Sequence, residues 1–226
     1  MKNGGRKLSN IKLVMFDLDG TLLDAYLAIE KALNAVRAKF NLEALSLAEV
    51  KRAVGKGDKS LMEDYFSDDI AIEALTLYRQ MHRDTLLKYA KLLPHAKEIL
   101  SYLKERDYFL ALGTNRPAIF TRLIIEHLDI DRFFDYIICG DELDAFKPKP
   151  DMILEAMKKF DLKPEEVVYV GDMVIDVETA NNAGVRSIAL TTGSSSREEL
   201  IIRNPFAIIG SLGQLKDFFK LLNIIP

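Results

Sequence analysis

Ile11-Lys12-Leu13-Val14-Met15-Phe16-Asp17-Leu18-Asp19-Gly20-Thr21-Leu22-Leu23-Asp24 is the stretch on which the fold turns. Its first six residues form a short apolar run of the kind that makes a buried strand. Ligands of open α/β sheets bind where strands end, and this one ends in two acids, a glycine and a hydroxyl. Inside a strand, Asp17 and Asp19 would point to opposite faces. Beyond its end, a turn at Gly20 lets both reach one centre at low steric cost. Such an ending is built like a metal and phosphoryl site. Taken alone, Asp-x-Asp is better explained as a solvated strand end with Asp19-Gly20 as turn residues, so other segments must agree.

Downstream, the pattern is helical for a long stretch. Helices are expected over 25–40, 47–54, 60–66 and 69–89, broken by Gly55 and Gly57, and then over 94–106. The chain then alternates. Strands are expected at 108–113, 136–139, 166–170, 186–190 and 206–209, with helices at 117–128, 151–160, 174–183 and 212–222 and a loop at 192–196. Alternation of this kind predicts an α/β fold, a Rossmann-like parallel sheet with right-handed crossovers. Thr114 stands 93 positions after Thr21, far more than the dozen or so residues a crossover needs. The surplus predicts a small all-helical cap inserted after the first strand. The expected division is a core of residues 1–23 and 92–226 and a cap of 24–91 placed above the site.

The 226 residues are 49% hydrophobic and 29% charged, an ordinary globular composition. A net charge of -3 gives no general attraction to nucleic acid or anionic membrane. No apolar stretch approaches a membrane span, and the polar, basic N-terminus does not read as a secretory signal. The single cysteine, Cys139, sits in an apolar run, as a buried thiol would, and fits a reducing, cytoplasmic setting. Three scattered histidines argue against a multi-histidine zinc site.

Three more apolar runs end in polar clusters. Gly113-Thr114-Asn115-Arg116 precedes a helix whose free N–H groups suit phosphate, although Thr114 as a plain helix cap explains it as well or better. Phe146-Lys147-Pro148-Lys149-Pro150 holds a lysine on stiff backbone, where it either lies in solvent or carries fixed charge onto a phosphoryl group. Val170-Gly171-Asp172 is followed four residues later by Asp176. Asp172 either completes an oxygen shell with Asp17 for magnesium or caps the next helix.

In order and over nearly the whole chain, these four clusters resemble the signatures of the haloacid dehalogenase superfamily. Phe133-Phe134-Asp135, Gly140-Asp141-Glu142 and 180–184 are similar to its phosphoglycolate phosphatase-like subgroup. The resemblance implies a Mg2+-dependent phosphatase acting on a small phosphate monoester through an aspartyl phosphate. By that implication Asp17 is the nucleophile, Asp19 the acid and then base as well as a metal contact through its carbonyl, Thr114, Asn115 and Lys147 hold the phosphoryl group, Asp172 ligates the metal and Asp176 supports it. Gly55 and Lys56 fall on the cap's specificity loop, where Arg52, Lys56 and Lys59 are candidates to meet an anionic substrate; a helix–helix turn with solvated lysines explains them equally well. Arg79, His82 and Arg83 are expected on a solvated helix face. Three departures stand out: Met173 where serine or threonine is common, Arg116 where lysine is frequent, and Leu93-Pro94-His95-Ala96, which lacks a glycine and implies a stiffer return linker. The expected partner is a small phosphorylated metabolite, not nucleic acid or membrane, with the chain a monomer or homodimer. A phosphomutase of the β-phosphoglucomutase type, a pyrophosphatase or nucleotidase, and a non-catalytic phosphate binder remain as alternatives.

Overall fold

A computed structural model describes residues 10–222. The chain starts with β1 (Leu13–Phe16) and passes through a two-residue strand, β2 (Leu23–Asp24), into four helices: α1 (Tyr26–Lys39), α2 (Leu47–Ala53), α3 (Asp58–Tyr65) and α4 (Ala71–Tyr89). It returns through β3 (Lys91–Leu92), which pairs antiparallel with β2, so the helical insertion leaves and re-enters at one place. The rest alternates: α5 (Ala96–Lys104), β4 (Phe109–Thr114), α6 (Ala118–His127), β5 (Tyr136–Cys139), α7 (Asp151–Phe160), β6 (Val167–Gly171), α8 (Val174–Asn182), β7 (Arg186–Leu190), α9 (Arg197–Ile202), β8 (Ala207–Ile209) and α10 (Leu212–Leu222).

Six strands form one parallel sheet in the order β5-β4-β1-β6-β7-β8. β1 pairs with β4 on one side and β6 on the other, Phe16 standing in register with Leu112 and Val170. β1, β4 and β6, adjacent and parallel, therefore deliver the residues that follow them to one edge. Side chains alternate with the period of two that a pleated strand dictates. Val14, Phe16, Leu110, Leu112, Val168 and Val170 pack with Ile99, Leu103, Ile124 and Phe219 on one face. Leu13, Met15, Ala111 and Tyr169 pack with Met152, Ile153, Ala156 and Ala180 on the other. Both faces are covered, which is why these strands are almost wholly apolar. The apolar cluster of the first face continues into α1, α3 and α4 through Leu33, Leu61 and Leu86, so the inserted helices share buried packing with the sheet's own helices.

Most element bounds fall within two residues of those expected from sequence. The differences have local causes. α5 starts at Ala96, not at Pro94, because His95 adopts a left-handed backbone (φ 68°) just before it. The return linker is thus a sharp turn made without glycine. α9, where no element was expected, begins at a capping box in which Ser196 and Glu199 bond each other's backbone N–H. β2 and β3 are too short to show any hydrophobic period.

Candidate active site

The turn after β1 is wound tightly around Leu18, whose carbonyl accepts from the N–H groups of Thr21, Leu22 and Leu23. Gly20 has φ 85°, and a side chain there would strike the Asp172 carboxylate and the Tyr26 hydroxyl. The turn thereby brings Asp17, Asp19 and Thr21 to the same edge as the residues after β4 and β6.

Lys147 is the hub. Its buried ammonium lies 2.6 Å from Asp17 Oδ1 and 2.6 Å from Asp176 Oδ1, with the Tyr169 hydroxyl at 3.2 Å. Three donors meet three acceptors. Tyr169 in turn donates to the Gly113 carbonyl at 2.7 Å. The Lys147 backbone N–H donates to Asn115 Oδ1 at 2.9 Å, which ties the lysine loop to the end of β4. The Lys147–Pro148 bond is cis. Asp172 is fully buried; Thr21 donates to one of its oxygens at 3.0 Å and the Ser194 N–H to the other at 2.9 Å. Asp172 does not cap α8. The Val174 N–H at its start donates to Ser195 Oγ at 3.1 Å, and Asp176 accepts from the Met173 N–H at 2.9 Å. Thr114 likewise leaves the capping of α6 to Asp141, which accepts from Ala118 N–H at 2.8 Å, while its own hydroxyl accepts from Arg116 N–H at 3.2 Å.

Asp17, Asp172 and Asp176 each present an oxygen within 4.8 Å of the others. Burial drives the Asp17 carboxyl up to about 7, with the neighbouring Asp176 adding to the rise and Lys147 opposing it. Burial, then the charges of Asp176 and Asp17, hold Asp172 well above the ordinary carboxylate range. Burial disfavours the Lys147 ammonium, but Asp17 and Asp176 outweigh it and keep the group charged well past its ordinary value. One ammonium among three buried carboxylates leaves a deficit of positive charge, and hard oxygen donors in that state suit a divalent cation.

Asp19 stands apart from that cluster. Arg116 grips its carboxylate with two parallel bonds, Nε to Oδ2 at 2.8 Å and Nη2 to Oδ1 at 2.7 Å. The third edge of the guanidinium donates through Nη1 to His82 Nε2 at 2.7 Å. Arginine has no acceptor, so Nε2 is the bare nitrogen and Nδ1 carries the proton. Burial and the Arg116 charge push His82 well below its ordinary value, which keeps the ring neutral. The ring stacks on Tyr78 at 4.9 Å.

Asp17, Asp19, Arg116, Lys147 and His82 line one cavity that opens to solvent. Asp17, Asp19, Thr114, Asn115, Arg116 and Lys147 come from the sheet's edge; Ile29, Val54, Gly55, Asp58, Leu61, Tyr78 and His82 come from the inserted helices. Gly55 docks on the core: its carbonyl accepts from Asn115 Nδ2 at 2.9 Å, and at φ 126° it leaves room for the Met173 thioether, which a side chain would strike.

The chain matches the family model of haloacid dehalogenase-like hydrolases over residues 14–190. It belongs to that family. It is 31% identical to phosphoglycolate phosphatase 1 of Pseudomonas aeruginosa over 213 residues, 90% of this chain and 78% of that one. Over 220 residues it is 31% identical to the phosphoglycolate phosphatase of Vibrio cholerae, covering 93% and 97% of the two chains. The crystal structure of a predicted phosphoglycolate phosphatase from Haemophilus somnus superposes with a TM-score of 0.89 at 26% identity, over 93% of this chain and 98% of that one.

Within this hydrolase, some sequence expectations need correction. His82 is not on a solvated face; it is 2% exposed and touches Arg116. Arg116, noted only as standing where lysine is frequent, is a buried partner of Asp19. Lys56 does not line the cavity: its side chain is 64% exposed and its ammonium is 3.7 Å from Asp64. Arg52, Lys59, Arg79 and Arg83 are exposed, as a solvated-face reading has them. Thr21, Tyr169 and Ser194 were not singled out as site residues. Tyr169 sits mid-strand on the buried period, where a tyrosine looks like core. The signal for His82 was present: Ala74, Tyr78, His82 and Leu86, four residues apart, form the buried stripe of α4.

Proposed function

We propose that this chain is a magnesium-dependent phosphoric monoester hydrolase that removes phosphate from a small phosphorylated metabolite, phosphoglycolate being the leading candidate, through an aspartyl phosphate on Asp17. The observation that carries this is the pairing of a buried carboxylate with a buried ammonium, Asp17 Oδ1 and Lys147 Nζ at 2.6 Å, on the wall of a cavity also lined by Asp19, Thr114 and Asn115. A structural ion pair belongs deep in packing; this one lies on the lining of a cavity that opens to solvent. The phosphatases named above as relatives support the same reading.

In the proposed reaction Asp17 attacks phosphorus, forming a Oδ–P bond as the bond to the leaving oxygen breaks. Lys147 neutralises part of the charge that otherwise repels carboxylate from phosphate. Thr114 and Asn115 present a hydroxyl and an amide to the phosphoryl oxygens at the head of α6. Asp19 gives its proton to the leaving oxygen, then takes one from the water that hydrolyses the acyl phosphate. Asp17, Asp172 and the Asp19 carbonyl would hold the metal, with Asp176 supporting the site; when bound, the ion supplies further positive charge to the transferring group. The inserted helices act as the cap, residues 24–91 over a core of 1–23 and 92–226, and close the cavity from above.

No helix among the described residues is long and apolar enough to cross a membrane. With its single buried cysteine, the chain fits the cytoplasm, acting as a monomer or homodimer without nucleic acid. The test is phosphate release from a panel of small esters with Mg2+, wild type against Asp17→Asn. Release that vanishes in the variant supports the reading. No release by the wild type from any ester overturns it.

A further inference from the structure

We propose that Arg116 is the receptor for a carboxylate on the leaving group of the substrate, and that Asp19 occupies this receptor until the substrate displaces it. The inference rests on the reading of Asp19 as the acid–base group. Both Asp19 oxygens are engaged side-on by the Arg116 fork, so neither is free for a leaving oxygen. Asp19 must therefore leave Arg116 to act. Its departure strands a guanidinium whose side chain is only 6% exposed, and an unpaired buried charge is strongly unfavourable. His82 cannot compensate, because a neutral imidazole offers a lone pair and no charge. Asp58 cannot either, since it is paired with Arg79 at 2.7 Å. An anion has to take the place that Asp19 vacates.

The remaining wall says where such an anion can come from. Ile29, Val54, Leu61, Tyr78, Pro117 and Phe120 are apolar or aromatic, and the other cation on the described lining, Lys147, is committed to Asp17 and Asp176. A substrate with a second anionic group finds one seat for it, Arg116. There the planar fork matches a carboxylate in the two-bond geometry it already makes with Asp19. His82 Nδ1–H, buried without a partner in a ring that lines the same cavity, adds a neutral donor. The substrate class is then the phosphate monoesters of short hydroxy acids. The exchange conserves charge at the guanidinium: one carboxylate replaces another, and the released Asp19 takes up one proton from solvent before it donates to the leaving oxygen. His82 comes from α4, so the receptor is complete only with the inserted helices in place. Arg116 thus ties recognition of the correct substrate to release of the acid.

Two ligands with an uncleavable carbon–phosphorus bond separate this from the phosphatase reading. With Mg2+ present, calorimetry should show 3-phosphonopropionate binding the wild-type protein about 10- to 100-fold more tightly than propylphosphonate, which lacks the carboxylate. In Arg116→Met the ratio of affinities should fall to about 1, and in Arg116→Lys it should survive in part, because charge remains while the fork is lost. In turnover, the ratio of kcat/KM for phosphoglycolate over ethyl phosphate should collapse in Arg116→Met. Equal binding of the two ligands by the wild type, no binding of 3-phosphonopropionate, or a preference that persists in Arg116→Met overturns the proposal. The wild-type comparison stands even where a variant fails to fold. Absence of turnover with any ester would sink the phosphatase reading and leave the binding ratio to judge the receptor.

Discussion

Around the ends of β1, β4 and β6, charged side chains are buried and interlocked; the lysines Lys56 and Lys59, between α2 and α3 and on α3, stand in water and pair loosely. Lys147 lies 2.6 Å from two buried carboxylates. Lys56 and Lys59 lie 3.7 Å from Asp64 and 3.9 Å from Glu63, all four side chains well exposed. Burial of a charge is costly unless it is paired and bonded, so a chain that buries Asp17, Lys147, Asp172 and Asp176 together gains something other than stability. Solvated pairs of the second kind contribute little. The contrast locates function at the sheet's edge and leaves most of the lysines of the inserted helices to solubility. His82 departs from that pattern: it is a polar group of the helical insertion that is buried against the edge.

The largest effect that would sharpen this contrast is at its hub. Lys147→Met should lower phosphate release by about 10³-fold or more. With the metal chelated it should also cost about 3–5 kcal/mol in urea unfolding, because the carboxylates lose their counter-charge. Mg2+ should restore part of that stability, and a variant as stable as wild type under chelation would break the comparison. Asn115→Ala comes next. It removes the bond to the Gly55 carbonyl and the acceptor for Lys147 N–H. Loss of a docking contact for the inserted helices should raise KM by about 10-fold, with a smaller fall in kcat; a change confined to kcat would argue against docking as its role.

A smaller effect concerns pH. Asp17, raised to about 7 by burial, stabilises the metal-free fold while protonated, and that contribution is lost as pH rises through about 7. A cation needs the ionised form, so it should compensate on the alkaline side. The rise in Tm on adding Mg2+ is expected to be larger at pH 8 than at pH 5.5; an equal or reversed difference would mean that these carboxylates do not meet the ion. The smallest effects belong to the exposed lysines. Lys56→Ala and Lys59→Ala should leave activity within about 2-fold and Tm within about 1 °C. A large loss of activity in either would restore them to the substrate's path.

The same contrast explains what the sequence made legible. Asp17 and Asp172 could be picked out because each follows an apolar run whose polar ending needs a reason, and Lys147 because it sits on stiff Lys-Pro backbone. The parallel sheet was readable from alternation alone. Arg116 was visible but uninterpretable, since its meaning lies in Asp19, 97 positions away, and His82, 34 positions away. No local pattern carries that pairing. His82 itself shares the apolar stripe of α4 with Ala74, Tyr78 and Leu86, and strict attention to that spacing would have buried it. Lys56 misled for the opposite reason: a cation beside a glycine loop looks functional whether or not the loop aims it inward. β2 and β3, two residues each, lie below the length at which hydrophobic period means anything.

The most direct test of the central claim is to quench turnover of a phosphate-labelled ester with acid at early times and locate the label on the protein. The expected result is a phosphoryl group on the peptide that contains Asp17, absent from Asp17→Asn. Label on another residue, or Asp17→Asn turning over at the wild-type rate, would contradict it.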